Sequence, residues 1–277
     1  MGQLKQKELA AALSDLTISN ENGTTFLTKK QDSEELVEVL ADAFVQDPLF
    51  AWMSHLPASE SSPNNTSTIA VSGTTTPLPA PPPEIDHRRK LLLHMNQYFF
   101  RMIGALTLKH GTVMGVKDKE GSIRGVMCVL APAAARKTFN LNWIFYALRR
   151  GLPPTHASST KSDYGKMAAK RMDTLFPITM KRRKELMKTY TKWIYLEAFG
   201  VHSSHQGQGV GARLLRSLIS AADSLHAHVY LETESTGNEA LYKHLGFRTV
   251  ELLQLHVPGD VSEDAKFTIY LMIRDPQ

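Results

Sequence analysis

Apolar positions recur at helical spacing over residues 34–45, where Leu36, Val37, Leu40, Ala41 and Phe44 form one stripe behind an acidic first turn. Ser33 is the expected N-cap, and Asp47-Pro48-Leu49-Phe50 is expected to close this helix. A second helix is expected over 88–106, and helical periodicity without strand signal covers 139–150 and 163–188. Strand patterns appear at Thr25-Phe26-Leu27-Thr28, at 112–117 and 122–131 around the polar turn Asp118-Lys119-Glu120-Gly121, and at 193–201, 229–233, 247–257 and 267–273. A short helix from Asn238 ends at Gly246. Along Trp193-Ile194-Tyr195-Leu196-Glu197-Ala198-Phe199-Gly200-Val201, strict alternation would put Tyr195, Glu197, Phe199 and Val201 on one face. Residues 57–86 break every pattern: they are rich in Pro, Ser, Thr, Asn and Ala, few are charged, and we read them as a disordered insertion. The periodic stretch 133–190 between hairpin and strand reads as a helical insertion.

The strand at 193–201 runs into His202-Ser203-Ser204-His205-Gln206-Gly207-Gln208-Gly209-Val210-Gly211-Ala212-Arg213 and then an amphipathic helix. Glycines let a backbone approach a ligand closely, and first-turn amides without intrahelical acceptors can donate to phosphate oxygens. A P-loop is excluded, because Gly211 is followed by Ala212 and Arg213 rather than Lys and Ser or Thr. A Rossmann fingerprint is excluded too: Gly207, Gly209 and Gly211 step by two, late in the chain.

Gln206-x-x-Gly209-x-Gly211 fits a third pattern. It resembles the pyrophosphate loop of the GNAT superfamily of N-acetyltransferases, which bind acetyl-coenzyme A (acetyl-CoA). Leu241-Tyr242-x-x-Leu245-Gly246-Phe247 resembles a second signature of that superfamily, and Ala43-Phe44-x-x-Asp47-Pro48-Leu49 resembles its first helix. Many members carry Asn where this chain has Ser235, whereas Asn238 is similar to the pattern of a puromycin acetyltransferase-like, small-molecule subgroup. The resemblance is densest over 192–250, the expected acetyl-CoA-binding core. It implies an α/β (α+β) fold: a mixed, mostly antiparallel central sheet flanked by helices, as a single domain over 1–277.

The resemblance also implies roles. The backbone at Phe199 and Val201 would pair with the pantetheine arm. Gln206, Gly207, Gln208, Gly209, Val210, Gly211 and Ala212 would hold the pyrophosphate, and Asn238 would join the cofactor site. Tyr242 would protonate the leaving thiolate, its alternative being a packing aromatic among Leu241, Leu245 and Phe247. Glu197 is the one charge on its strand, and burial would raise its pKa toward neutrality, where it could serve as base. A structural ion pair is the alternative reading.

Composition narrows the rest. The 277 residues are 42% hydrophobic, enough for a sizeable core, and contain no apolar run long enough to span a membrane or act as a secretory signal. The lone Cys128 has no disulfide partner and reads as a buried structural thiol. His202, His205, His228 and His244 lack metal-ligand spacing, so no metal is expected. Residues 136–190 hold 13 Lys and Arg against 3 Asp and Glu, including the nuclear-localisation-like Lys181-Arg182-Arg183-Lys184. Solvated helices are expected there rather than a nucleic-acid interface. The expected function is therefore a cytoplasmic acetyltransferase, with acetyl-CoA as co-substrate and a primary amine of a small molecule as acceptor, by direct attack. A protein or peptide N-acetyltransferase and a non-catalytic CoA-binding relative are the alternatives.

Overall fold

The computed structural model describes residues 2–18, 23–54, 83–138, 163–262 and 265–277. Its strands are β1 (Thr24–Phe26), β2 (Thr112–Lys117), β3 (Ile123–Leu130), β4 (Trp193–Val201), β5 (His228–Thr233), β6 (Phe247–His256) and β7 (Lys266–Arg274). They form one sheet in the order β1-β2-β3-β4-β5-β7-β6. Every pairing is antiparallel except β4 with β5, so the architecture is the mixed, mostly antiparallel α/β one expected of a GNAT fold. The β2–β3 turn is tied by Asp118, whose carboxylate accepts the Glu120 and Ser122 amides at 3.0 and 2.8 Å.

Helices cover both faces. One face packs against α2 (Lys29–Ala43), α3 (Pro48–Met53), α4 (Pro83–His110) and α6 (Asp163–Leu186), with α5 (Pro132–Thr138) preceding α6 in the chain. The other packs against α1 (Gln6–Ile18) and α7 (Val210–Ser224), while α8 (Thr236–His244) follows β5. In α7 the buried Val210, Leu214, Leu215, Leu218, Ala221 and Ala222 form a continuous apolar stripe against the sheet. On the opposite face α2 lies close to β4 because Gly200 carries no side chain; a Cβ there would stand 2.7 Å from that of Ala43. Among the described residues no helix is long and apolar enough to cross a membrane.

Several expectations are corrected. Helix α2 starts at Lys29 with Thr28 as its cap, not at Ser33. Its first turn is polar and invisible to hydrophobic spacing, and Asp32 closes it by accepting from the Thr28 amide at 2.6 Å. Asp47 does not end a helix but opens α3, accepting from the Leu49 amide at 2.9 Å with Pro48 at the first position. Residues 83–86, read as disordered, begin α4, which also runs past Leu106 to His110. Helix α1 had no expected counterpart; it is held by Leu4, Leu9 and Leu13, all buried against α7 and the sheet. Residues 57–82 and the helical pattern at 139–150 lie outside the described residues.

The basic stretch is less solvated than its composition suggests. Arg171 on α6 is fully buried, donating to Asp260 at 2.8 Å, to the Trp52 carbonyl at 2.9 Å and to Ser262 at 2.8 Å. It ties α6 to α3 and to the β6–β7 connection. Arg182 binds Glu251 and Glu185, and Arg183 is buried.

Candidate active site

β4 and β5 pair only over Trp193–Tyr195 with His228–Tyr230, and beyond Tyr195 they part. The edge of β4 that faces β5 is thereby left without a ladder partner among the described residues. A bulge sits at the same place: opposite Cys128 and Val129 of β3 stand Ala198 and Leu196, leaving Glu197 as the extra residue. This corrects the expected alternation. Trp193, Tyr195 and Ala198 pack on the α2–α4 side, but Phe199 and Val201 pack on the α7 side, because one inserted residue shifts everything after it to the other face. Glu197 is thus the bulge residue just past the point where β4 and β5 stop pairing.

There it lines a cleft with about 1080 Å³ of empty space, part of it open to solvent. Thr107 of α4, itself fully buried, donates its hydroxyl to Glu197 Oε2 at 2.5 Å. The other oxygen, Oε1, is buried and has no partner among the described residues. Burial pushes this carboxyl up to about 7, against the Thr107 hydrogen bond and the charge of Arg183, with Glu232 pushing the same way as burial. Beneath it the Cys128 thiol is fully buried and pushed well up, by burial first and then by Glu197, in keeping with a structural thiol.

A second carboxylate, Glu232 of β5, is fully engaged. It accepts from the hydroxyls of Tyr195 and Tyr230, each at 2.9 Å, and lies 3.5 Å from the Arg183 guanidinium, which sits 4.1 Å from the centre of the Tyr195 ring. Burial above all holds both phenols well above their ordinary range, so they stay donors.

Two further carboxylates differ. Asp47 and Glu234 line the same cleft, half-buried, and neither has an ion-pair partner among the described residues. Burial pushes Asp47 up to about 6, opposed by the amides of Leu49 and Phe50. Burial also pushes Glu234 well above the carboxylate range, and the negative charges of Asp47 and Glu232 push it further. Phe44, Phe50, Phe99, Phe100 and Phe176 supply the apolar wall, with ring centroids 4.8 to 6.0 Å apart where they touch.

Tyr242 and Asn238 enter the cleft from α8, whose start is fixed by Ser235 accepting from the Asn238 amide at 3.0 Å. Tyr242 is buried, edge-on to Phe247 at 5.4 Å, and its phenol is raised by burial and by Glu234, so it is protonated at neutral pH. The glycine loop stands at the far end of β4. Gly207 and Gly209 both have φ of +74°, and a Cβ on either would meet nothing within 4 Å. Gly209 caps α7 with no side chain covering it, so the amides of Val210, Gly211 and Ala212 face outward without helical acceptors. Gln206 folds back onto the Val201 carbonyl at 3.2 Å, and Gln208 onto that of Ser204 at 3.1 Å. An open amide cradle at the start of a helix, next to an unpaired strand edge, is a donor set that fits a pyrophosphate on an amide-bearing arm.

Glu197, Phe199, Asn238 and Tyr242 thus meet in one cleft, while Gln206 to Ala212 and Val201 lie beyond it, reached along β4. Sequence reading missed Asp47, Thr107, Arg183, Glu232 and Glu234. Asp47 stands in the sequence only as part of the first-helix phrase and Arg183 only as part of a basic run, while Glu232 and Glu234 stand two positions apart at and just past the end of the strand at 229–233.

Residues 178–247 match the acetyltransferase (GNAT) family. No curated protein matches the chain. Solved structures similar to it include a histone acetyltransferase HPA2 and related acetyltransferase from Corynebacterium glutamicum, 20% identical, covering 92% of this chain and 96% of that one with a TM-score of 0.49. A Drosophila melanogaster polyamine N-acetyltransferase is 14% identical over 91% of this chain and 99% of that one, with a TM-score of 0.46. Arylalkylamine N-acetyltransferase 2 from Aedes aegypti is 14% identical over 92% and 99%, with a TM-score of 0.47.

Proposed function

We propose that this chain, a GNAT-superfamily acetyltransferase, moves the acetyl group of acetyl-CoA to a primary amine of a small molecule by direct attack. One observation carries the reading: Glu197, whose buried Oε1 has no donor among the described residues, lines the same cleft as a phenol that keeps its proton, Tyr242. Acetyl transfer needs a proton removed from the amine and one supplied to the departing sulfur. The two groups have those opposite properties.

Acetyl-CoA would supply the acetyl group as an activated thioester. The amides of Val210, Gly211 and Ala212 would hold its pyrophosphate, and the free edge of β4 at Phe199 and Val201 would pair with its arm. Glu197 takes the amine proton at Oε1, and its pKa near 7 lets it be ionised yet basic enough to do so at neutral pH. Thr107 is the positioning residue, engaging Oε2 and leaving Oε1 without a donor. Tyr242 keeps a proton on its hydroxyl for the thiolate. The helices α3, α4 and α6 that line the cleft leave a space of small-molecule size, which favours this acceptor over an extended peptide.

The test is release of free thiol from acetyl-CoA across a panel of primary amines, with wild type and Glu197→Gln. Acceptor-dependent release that the variant loses supports the reading. Acetyl-CoA that neither binds nor turns over with any amine would sink it.

A further inference from the structure

We infer that Asp42, in the last turn of α2, is a positioning residue for the acetyl-CoA loop: it holds the crossing from β4 to α7 in place, so that the amides of Val210, Gly211 and Ala212 stay aimed at the pyrophosphate. The inference rests on the cofactor site proposed above and extends it to a helix on the opposite face of the sheet.

Residues 202–209 carry the chain out of the sheet, from the end of β4 to the start of α7. A 3₁₀ turn, Ser203–His205, makes the first part of that crossing. Gly207 and Gly209, with φ of +74° and open space where a Cβ would stand, make the second. Glycines at these angles permit the path but do not fix it, since they bring no side chain to pack or to bond. The His202 amide still donates to the Arg124 carbonyl at 3.0 Å. Past that point the side chains of Gln206 and Gln208 bond back to the carbonyls of Val201 and Ser204, within the same stretch of chain.

Asp42 supplies the tie to another element. Its Oδ2 accepts the Ser203 amide at 2.7 Å, across 161 positions of chain, and lies 3.7 Å from Nε2 of His202. The His202 ring is set for this contact: Nδ1 accepts the Ser204 amide at 3.3 Å and lies 2.8 Å from the Ser204 hydroxyl. With Nδ1 accepting, the proton of the neutral ring is on Nε2, facing the carboxylate. One oxygen of Asp42 thus meets both the first amide of the turn and the ring that caps it.

The approach of α2 is close because Gly200 lacks a side chain; a Cβ there would stand 2.7 Å from that of Ala43 and 3.2 Å from a Leu40 methyl. For the helix itself an acid at this place is unfavourable. Asp42 is next to last in α2, where the negative end of the helix dipole opposes a carboxylate, and the last turn holds no basic residue to offset it. What the charge gains is a charge-assisted bond to the loop, stronger than a neutral acceptor would make. The same turn leads into Phe44, whose ring lines the cleft 4.8 Å from that of Phe100. One end of α2 therefore touches both the loop that would take acetyl-CoA and the wall that an acceptor would meet.

Asp42→Ala removes the tie, and Asp42→Asn keeps it, because an amide oxygen also accepts an N–H. Calorimetry of the full chain with acetyl-CoA should show binding weakened about tenfold in Asp42→Ala and within about twofold of wild type in Asp42→Asn. In turnover the loss in Asp42→Ala should fall on KM for acetyl-CoA, with kcat kept. Amide hydrogen exchange without ligand should quicken over 203–212 in Asp42→Ala and stay as in wild type along α2 and β4, which a general loss of stability would not give. Asp42→Asn binding as weakly as Asp42→Ala, or exchange quickened along α2 and β4 as much as in the loop, overturns the inference. Wild type and Asp42→Ala binding acetyl-CoA equally would sink this inference alone and leave the acetyltransferase reading intact. A wild type that binds no acetyl-CoA would sink that reading and this inference with it.

Discussion

The loop at 206–212 and the wall around Glu197 are built on different principles. In the loop the candidate anion donors are backbone amides, presented by two glycines with φ of +74° and by the open end of α7. Around Glu197 they are side chains from β4, β5, α4, α6 and the α2–α3 corner, and burial with Thr107, Arg183 and Glu232 sets the protonation of Glu197, as burial with Asp47 and Glu232 sets that of Glu234. The loop is a local device, whose amides one substitution can block without touching the groups around Glu197. The wall is a coupled one, in which removing a group changes the pKa of its neighbours.

The largest expected effect lies in the wall. Glu197→Gln should lower kcat/KM about 100-fold to 10,000-fold at neutral pH, the usual worth of a general base. Because the ionised form is the active one, the wild-type rate should rise with pH through about 7, and this limb should vanish in the variant. A pH–rate profile on any accepted amine reads both. Next comes Tyr242→Phe, expected to depress kcat about 100-fold while acetyl-CoA binds nearly as before. A profile identical to wild type would mean that the phenol only packs against Phe247.

The loop is probed by Gly209→Val. Saturating acetyl-CoA, at a hundredfold excess over its Kd, should stabilise the wild type by about 2.7 kcal/mol, and the variant should show no such shift in melting temperature. A β-branched residue at this φ is strained as well, so the variant should also melt lower unliganded. If it keeps the ligand-induced shift, the amide cradle is not the anion site.

Coupling within the wall predicts a subtler result for Thr107→Val. The donor to Glu197 Oε2 is lost, the ionised form loses a stabilising contact, and the acid limb of the pH–rate profile should move up by about one pH unit, or about 1.4 kcal/mol. A limb that stays in place would show that Thr107 is merely structural.

The smallest effect is on folding. Glu197 and Asp47 titrate near 7 and 6 in the folded chain, above their unfolded values, and Glu234 is raised as well. Between the unfolded and folded values the native state holds more protons, so the stability these groups contribute is present at low pH and lost as pH rises through 6 to 7. The unliganded protein should therefore melt a few degrees higher at pH 5.5 than at pH 7.5, by scanning calorimetry, and Asp47→Asn should narrow the gap. Asp32, Asp223 and Asp260 act oppositely, but only at more acid pH, because their partners hold them below the usual range.

Strands 193–201 and 247–257, the β2–β3 hairpin and the helix after Gly209 were legible because each carries its own periodicity and turn residues over consecutive positions. Helix α1 was not, since Leu4, Leu9 and Leu13 are too sparse to read as a stripe until α7 lies against them. Glu197 could be chosen from its strand alone, as the one charge in an apolar run, yet its direction could not. That depended on a bulge opposite Cys128 and Val129, which no periodicity in β4 foretells.

What the sequence determined by itself was the candidate chemistry tied to local order: an acid on the strand that runs into the glycine loop, that loop opening a helix, and the Tyr242 signature. Tertiary structure decided which groups face that acid. Thr107, Arg183 and Asp47 lie 90, 14 and 150 positions from Glu197 in the chain, and only the packing of α3, α4 and α6 on the parting strands brings them to one cleft. Charge interactions depend on distance and burial, not on order along the chain, so the protonation of Glu197 and the unpaired acids beside it exist only once the helices have closed over the sheet.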